Sequence, residues 1–155
     1  MAKEIERKFL VDVSKLPVLP AKNIIKQGYF KSKDSTIRVR ISNEKAFLTI
    51  KGKTSGISRS EFEYEIPLQD AIEMQNEFCN DLFIEKTRYN IDYEGHIWEL
   101  DIFEGRNKGL IVVEIELKDE NELFQKPEWI GEDVTMDCRY SNAKLVKKPY
   151  STWGK

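Results

Sequence analysis

The chain has 155 residues and a mass of 18.2 kDa, the size of one domain built around one hydrophobic core. Its 25 basic residues nearly balance its 27 acidic residues, which argues against a general nucleic-acid-binding protein. The first residues lack the apolar stretch of a signal peptide, no apolar run approaches a membrane-spanning length, and two cysteines are too few for a disulfide framework. We therefore expect a single domain over residues 1–155, in the cytoplasm, without nucleic-acid or membrane partners.

Most of the chain alternates apolar and polar residues, which is typical of β-strands. The strands are predicted, in chain order, near residues 3–11, 26–31, 36–42, 46–52, 60–66, 85–93, 97–104 and 109–117. After the fifth strand, apolar residues spaced by three and four predict an amphipathic helix through Ala71, Met74, Phe78 and Leu82. A second, shorter helix is predicted from Ala143 to Val146.

The connections between the strands are short and include turn sequences such as Glu94-Gly95. Eight strands joined mainly by hairpins predict a mainly β fold, a closed eight-stranded antiparallel β-barrel, because closure removes exposed sheet edges. We expect the helices to cover the outside of the barrel or to plug one end.

Charged residues recur in the predicted strands as like-signed pairs two positions apart, so both members of a pair lie on the same face. For one strand alone, a solvated sheet face is the ordinary explanation. Repeated over six strands, the repulsion within these pairs costs folding energy unless a ligand uses the charges. The acidic pairs are Glu4 and Glu6, Glu61 and Glu63, and Glu114 and Glu116; the basic pairs are Arg38 and Arg40, Lys51 and Lys53, and Lys86 and Arg88.

If these faces line a barrel interior, the carboxylates are suited to a hard divalent cation and the basic residues to a polyanion. With Lys8, Arg59 and Arg139 included, nine basic residues face six glutamates, which leaves three positive charges before any cation binds. A chain of three phosphates carries about four to five negative charges. The charge balance therefore predicts a site for a metal ion together with a polyphosphate.

An ordered series of charged motifs covers nearly the whole chain. It begins with Glu4-Ile5-Glu6-Arg7-Lys8 and continues with Arg38-Val39-Arg40, Leu48-Thr49-Ile50-Lys51, Arg59-Ser60-Glu61-Phe62-Glu63, Lys86-Thr87-Arg88-Tyr89, Trp98-Glu99-Leu100-Asp101, Val113-Glu114-Ile115-Glu116-Leu117, Trp129-Ile130-Gly131 and Arg139-Tyr140-Ser141-Asn142. The first motif matches the ExExK signature of the CYTH superfamily, the triphosphate tunnel metalloenzymes, and the series as a whole resembles that superfamily.

The resemblance implies an eight-stranded barrel around a charged tunnel that holds a metal-bound triphosphate. It implies that a principal metal, Mg²⁺ or Mn²⁺, is held by Glu4, Glu6, Glu114 and Glu116. Glu61 and Glu63 would place a second metal or the attacking water. The implied phosphate-binding residues are Lys8, Arg38, Arg40, Lys51, Arg59, Lys86, Arg88 and Arg139, with Lys53 as a weaker candidate because it lies at a strand end.

We expect an enzyme that hydrolyses the terminal phosphate of a triphosphate, with inorganic tripolyphosphate as the leading small-molecule substrate and nucleoside triphosphates as secondary substrates. Phosphoryl transfer needs mainly positioning and charge neutralisation. A second metal or neutral Lys86 would activate the water, and Tyr29 is either a water-orienting hydroxyl or a core residue. The alternatives are an adenylate cyclase, a thiamine triphosphatase and a non-catalytic polyphosphate-binding module; a homodimer stays open.

Two further expectations concern individual carboxylates. Glu99 and Asp101 share one strand face and are either partners that position Lys86 and Arg88 or metal ligands. Replacing Glu4 or Glu116 by alanine is expected to leave the metal-free melting temperature unchanged or higher, because the substitution relieves repulsion between carboxylates.

Overall fold

A closed β-barrel dominates the computed structural model, which describes residues 3–154; Met1, Ala2 and Lys155 of the predicted domain lie outside the described residues. The strands are β1 (Lys3–Val11), β2 (Lys22–Tyr29), β3 (Thr36–Ser42), β4 (Lys45–Lys51), β5 (Ser58–Ile66), β6 (Phe83–Tyr93), β7 (His96–Phe103), β8 (Ile111–Glu116) and β9 (Ile130–Asp133). Two α-helices accompany them in this part of the chain, α1 (Leu68–Phe78) and α2 (Asn142–Lys147). Short 3₁₀ turns lie at Val13–Lys15, Gly105–Asn107, Cys138–Tyr140 and Tyr150–Thr152.

Strand β1 closes the barrel. The sheet order runs β5-β4-β3-β2-β6-β7-β8-β1, and the first residues of β1 return to β5 through the pairing of Lys3 with Ser60. The rest of β1 pairs with β8, with Glu6 opposite Glu116, and all of these pairings are antiparallel. The predicted eight-stranded barrel is therefore confirmed. The ninth strand, β9, extends the sheet from the end of β1; it was not predicted because its four residues show no apolar alternation.

The predicted strand boundaries differ from the structure mainly at β2, which begins at Lys22 and ends at Tyr29 rather than covering 26–31. Its additional residues pair with β6, with Lys22 opposite Tyr89. Long-range pairing therefore extends β2 into a region where the local alternation of the sequence is weak.

The largest hydrophobic cluster lies outside the barrel wall. Charged residues of β1, β7 and β8 face the interior, so their sequence neighbours face outwards, among them Phe9, Trp98 and Ile115, all fully buried. Trp129 and Phe124, from the segment after β8, cover this face, and their rings lie 5.9 and 5.6 Å from the ring of Trp98. Burial of these aromatic side chains supplies the hydrophobic stabilisation that a charged interior does not supply.

Helix α1 packs on the outer surface of the barrel, where Ala71 meets Val39 of β3 and Ala46 of β4. The predicted apolar face is confirmed at Ala71 and Met74, but the helix ends at Phe78, so Leu82 lies beyond it. No helix within residues 3–154 is long and apolar enough to cross a membrane.

Helix α2 covers part of one end of the barrel, as the sequence predicts. It begins after Ser141, whose hydroxyl accepts a hydrogen bond from the Lys144 amide. Leu145 and Val146 of this helix pack with Ile84 and Phe103, whose side chains lie on the inward faces of β6 and β7. The interior is therefore apolar beneath α2 and charged elsewhere.

Candidate active site

A cavity of about 660 Å³ occupies the barrel interior. Its walls are the charged faces of the strands, and its rim is formed by residues 33–36, residues 52–57 and the segment that leads into α2. It gathers all predicted site residues except Arg139, namely Glu4, Glu6, Lys8, Tyr29, Arg38, Arg40, Lys51, Lys53, Arg59, Glu61, Glu63, Lys86, Arg88, Glu114 and Glu116. The charged strand faces therefore meet in one enclosed volume instead of facing solvent.

Two predicted phosphate-binding residues differ from the others. Arg139 lies outside the cavity with a 62% exposed side chain, which donates to the carboxylate of Asp137 through Nε and Nη2 and stacks 4.9 Å from the ring of Trp153. The 3₁₀ turn at Cys138–Tyr140 directs it there. Lys53 lies at the rim, where its exposed Nζ is 3.6 Å from Asp34. The structure does not bring Arg139 to the site, and it leaves Lys53 at the edge.

Glu4 is buried and doubly paired. Its carboxylate accepts from Lys51 Nζ at 2.9 Å and from Arg59 Nε at 3.2 Å, and Lys51 also lies 3.3 Å from Glu61. Burial alone would raise the pKa of Glu4, but Lys51 and Arg59 hold it below the ordinary value. The structure therefore changes the expectation for Glu4→Ala: this substitution removes one of the buried carboxylates that pair with Lys51, so it is destabilising.

Glu6 and Glu114 form a carboxyl pair on neighbouring strands. Burial and the charges of Glu114 and Glu4 raise the pKa of Glu6 well above its ordinary value. Burial would also raise the pKa of Glu114, but Lys8, 3.7 Å away, and a hydrogen bond from Glu6 hold it well below. Glu6 therefore keeps its proton to higher pH than an ordinary glutamate, and the hydrogen bond that it shares with Glu114 favours the ionised form of Glu114. Glu116, opposite Glu6 in the sheet, also has a raised pKa because of its burial and the charges of Glu4 and Glu61.

These carboxylates fit a hard divalent cation by the chemistry of their donors. Within residues 3–154, no three histidine, cysteine or acidic side chains are already arranged as a metal site, and Glu4 is paired with lysine and arginine. A cation would favour the ionised forms of Glu6 and Glu116 by relieving the repulsion that raises their pKa values. The set that would hold it is Glu4, Glu6, Glu114 and Glu116.

Asp101 is the centre of a second charge cluster. It is completely buried; its Oδ1 accepts from Arg88 Nε at 2.7 Å, and its Oδ2 lies 2.8 Å from Lys86 Nζ. Arg88 also donates to Glu99 at 3.1 Å. Burial alone would raise the pKa of Asp101, yet Arg88 and Lys86 lower it. Of the two roles expected for Asp101, the geometry favours the partner that positions Lys86 and Arg88.

Lys86 is a buried lysine whose pKa lies near 7. None of its side chain is exposed, and burial, together with Arg88 and Arg40, lowers its pKa to about 7 although Asp101 acts in the opposite direction. Nζ donates to Asn142 Oδ1 at 3.1 Å, so the first residue of α2 reaches the cavity. Two acceptors therefore hold the amine in place.

Arg38 and Arg40 are two arginines of the cavity wall that have no ion pair with a described residue. Arg38 is buried, and its Nε has no hydrogen-bond partner among the described residues. Arg40 donates through Nε to Gln27 at 2.7 Å, and burial and the charges of Arg38 and Arg88 lower its pKa to about 10. An unpaired buried guanidinium nitrogen is costly, so this region is suited to an anion.

Three polar residues of the site were not predicted as functional. Gln27 and Thr49 are fully buried, and Thr49 donates to Glu63 at 3.0 Å. Asn142 belongs to a quoted motif, but its contact with Lys86 crosses from a helix to a strand. Gln27 stands two residues before Tyr29, and Thr49 stands two residues before Lys51. Because side chains alternate along a strand, this spacing indicates that both uncharged residues lie on the same face as the charged ones.

A closed antiparallel barrel with paired charges along most of its interior and two hydrophobic clusters on its outer surface belongs to the class of barrel proteins with a charged interior. The chain belongs to the CYTH family, since the CYTH domain model matches residues 2–150. The resemblance inferred from the ordered motifs is thereby confirmed.

Relatives cover the full length of the chain. It is 49% identical over 154 residues to a protein named inorganic triphosphatase from Acetivibrio thermocellus, which covers 99% of both chains. It is 36% identical over 151 residues to another inorganic triphosphatase, from Nitrosomonas europaea, which covers 92% of this chain and 96% of the relative. A crystal structure of an inorganic triphosphatase aligns with a TM-score of 0.67 at 32% identity, over 94% and 95% of the two chains.

A more distant solved structure, from Pyrococcus horikoshii, aligns with a TM-score of 0.60 at 22% identity. It covers 76% of this chain and 80% of its own length. At this identity the similarity shows the fold alone.

We predict that Glu6→Gln removes a pH dependence of stability measured in EDTA. Folding raises the pKa of Glu6, so the parent loses stability as pH rises from the ordinary value of 4.5 through the raised one. Glutamine cannot ionise, so parent and variant melt alike below pH 4.5, and above it the variant becomes relatively more stable. Melting curves that stay parallel over the whole range would show that Glu6 is not the protonated partner.

Proposed function

We propose that this chain is an inorganic triphosphatase that hydrolyses tripolyphosphate to diphosphate and phosphate with Mg²⁺ or Mn²⁺. The observation that carries the proposal is the unpaired buried Nε of Arg38 beside Arg40, inside a cavity that also holds clustered carboxylates. Two relatives that match over nearly their whole length are named inorganic triphosphatases, which supports the same activity. Two cysteines that form no disulfide with each other are compatible with the reducing cytoplasm proposed for it.

The four metal-binding candidates are Glu4, Glu6, Glu114 and Glu116, with Glu61 and Glu63 beside them as candidates for a second metal or for the attacking water. A bound divalent cation would neutralise charge on the phosphate oxygens and on the departing diphosphate. Lys51 and Arg59 pair with Glu4 when no cation is bound. Binding of the cation by Glu4 would make both side chains available to the phosphate oxygens.

Arg38 and Arg40 bind the substrate in this proposal. A guanidinium offers a planar set of donors that matches two phosphate oxygens at once. Arg38 has free donors, whereas Arg88 uses Nε and Nη2 on Asp101 and Nη1 on Glu99. The phosphate chain therefore lies along Arg38 and Arg40, while Arg88 holds Asp101 in place.

Lys86 is the proposed general base. A neutral lysine amine has two N–H groups and one lone pair, and Asp101 and Asn142 provide two acceptors for the N–H groups. The lone pair is left for a water in the cavity. Water oxygen bonds to the terminal phosphorus, the bond to the bridging oxygen breaks, diphosphate leaves, and the water proton passes to Nζ.

Turnover tests the proposal directly. Purified protein with tripolyphosphate and Mg²⁺ or Mn²⁺ is expected to release phosphate, and EDTA is expected to abolish the release, because no cation then neutralises the charge on the departing diphosphate. ATP in parallel distinguishes the alternatives: ADP and phosphate indicate hydrolysis, whereas cyclic AMP and diphosphate indicate a cyclase. Tight tripolyphosphate binding without turnover under any divalent metal would instead identify a binding module.

Replacing Lys86 by methionine tests the general base. General-base catalysis contributes about 10²–10⁴-fold, so we expect kcat to fall by about that factor, with KM for tripolyphosphate changed only a few-fold. The parent's kcat is expected to rise with pH around or above 7, the pKa of buried Lys86, since a bound triphosphate shifts that pKa upwards. Lys147→Met, an exposed residue of α2, is the control. Parent-like kcat in Lys86→Met would exclude the base assignment.

Arg38→Ala tests the phosphate-binding assignment without metal. Each lost charge-assisted contact costs about 1.5–3 kcal/mol, which is roughly tenfold to more than a hundredfold in the affinity for tripolyphosphate measured calorimetrically in EDTA. Arg38→Lys keeps the charge without the planar fork, so it recovers only part of the loss. Exposed Arg106→Ala is the matched control and is expected to bind like the parent. Equal affinity in Arg38→Ala would remove Arg38 from the binding site.

A further inference from the structure

Strand β2 places one uncharged amide behind the cavity wall. Gln27 is completely buried; its Oε1 accepts from Arg40 Nε at 2.7 Å, and its Nε2 donates to the Tyr29 hydroxyl at 2.8 Å. The register of β2 with β3 sets Gln27 opposite Arg40 and Tyr29 opposite Arg38. All three side chains lie on the inward face of the sheet, and Arg40 and Tyr29 line the cavity whereas Gln27 does not. Gln27 therefore contacts two residues of the cavity wall without lining the cavity itself.

The chemistry of the three groups sets the direction of each hydrogen bond. A guanidinium only donates, so the Gln27 atom that meets Arg40 is the amide oxygen. The amide nitrogen then faces Tyr29, and the hydroxyl oxygen of Tyr29 must accept. The hydroxyl hydrogen of Tyr29 is consequently left to donate to another group.

The groups beside the Tyr29 hydroxyl include two arginines, which are hydrogen-bond donors only. Arg38, opposite Tyr29, and Arg40 cannot accept a hydrogen bond. Within residues 3–154, the Tyr29 hydroxyl has no hydrogen bond other than the one from Gln27, and Arg38 Nε has none. The Tyr29 hydroxyl and the free nitrogens of the two arginines thus form a set of donors in one part of the wall. Such a set is completed by an oxyanion.

We infer that Gln27 is a positioning residue for the triphosphate: it holds Arg40 so that the terminal guanidinium nitrogens face the cavity, and it turns the Tyr29 hydroxyl to donate to a phosphate oxygen. This inference rests on the proposed function. It gives Tyr29 a role as a substrate-binding donor, in place of the two alternatives from the sequence, a water-orienting hydroxyl or a core residue. It also explains why an uncharged amide lies on a face that is otherwise rich in charge. Gln27 accepts from Arg40 and donates to Tyr29, whereas an ionised carboxylate could only accept and a basic residue could only donate.

Metal-free binding of tripolyphosphate, measured by calorimetry in EDTA, tests this assignment. Gln27→Met keeps the length of the side chain but neither polar atom, and we expect about tenfold weaker binding, the effect of one misaligned charge-assisted contact. Tyr29→Phe removes only the hydroxyl and is expected to weaken binding several-fold. In the Gln27→Met background the same Tyr29→Phe change is expected to have almost no further effect, because the hydroxyl is no longer oriented.

Gln75→Met is the matched control. Gln75 is also a buried glutamine, and its Nε2 donates to the carbonyl oxygens of Lys26 and Val39 on the outer side of the same two strands. Its substitution is expected to lower the melting temperature and to leave the affinity for tripolyphosphate unchanged. A role of Gln27 in stability alone would give the same pattern for both glutamines.

The outcomes distinguish the positioning role of Gln27 from the proposed function. Weaker binding by Gln27→Met and Tyr29→Phe with non-additive effects supports the assignment. If Gln27→Met binds tripolyphosphate like the parent, the positioning role is wrong while the proposed function stands. If Gln27→Met does not fold, parent-like affinity in Tyr29→Phe leads to the same conclusion. Failure of the parent itself to bind tripolyphosphate in EDTA overturns the positioning role, and failure of the parent to release phosphate with Mg²⁺ or Mn²⁺ present overturns the proposed function.

Discussion

The buried triad of Asp101, Lys86 and Arg88 is the interaction on which the interior of this barrel depends. Asp101 is fully enclosed, and an isolated charge in that position would cost several kcal/mol. Both of its oxygens are engaged by the two cations of the neighbouring strand. Because much of the wall is stabilised by pairing instead of apolar contact, two hydrophobic clusters lie on the outer surface, around Trp98 and beneath α1, and a third fills the interior only beneath α2.

The interior divides into charges that are satisfied by the fold and charges that are not. Glu4 is paired with Lys51 and Arg59, and Asp101 is engaged by Arg88 and Lys86. Burial and the neighbouring carboxylates raise the pKa of Glu6, and Arg38 keeps an unpaired nitrogen. One of these two groups is acidic and the other is basic, so a cation and an oxyanion bound together would satisfy both.

Much of the fold and most of the candidate site follow from local pattern. Alternation with period two predicted the strands, hairpin turns predicted their antiparallel order, and like-signed pairs predicted which side chains share a face. β9 and the beginning of β2 were not predictable in this way, since their pairing partners β1 and β6 are remote in sequence. Strand conformation there is stabilised by ladders that no local window contains.

Which charged residues share a face of a strand follows from the order of residues alone, because side chains alternate between the two faces along a strand. Which charges come into contact depends on how the strands are paired in the folded barrel. Arg88 and Arg38 occur in similar motifs, yet the register of β6 with β7 gives Arg88 two carboxylates and leaves Arg38 with free donors. Likewise Arg139 lies outside the cavity because a local turn pairs it with Asp137, and Gln27 acquires two polar partners because β3 lies beside it. Pairing of side chains between strands is set by register and closure, which are properties of the whole barrel.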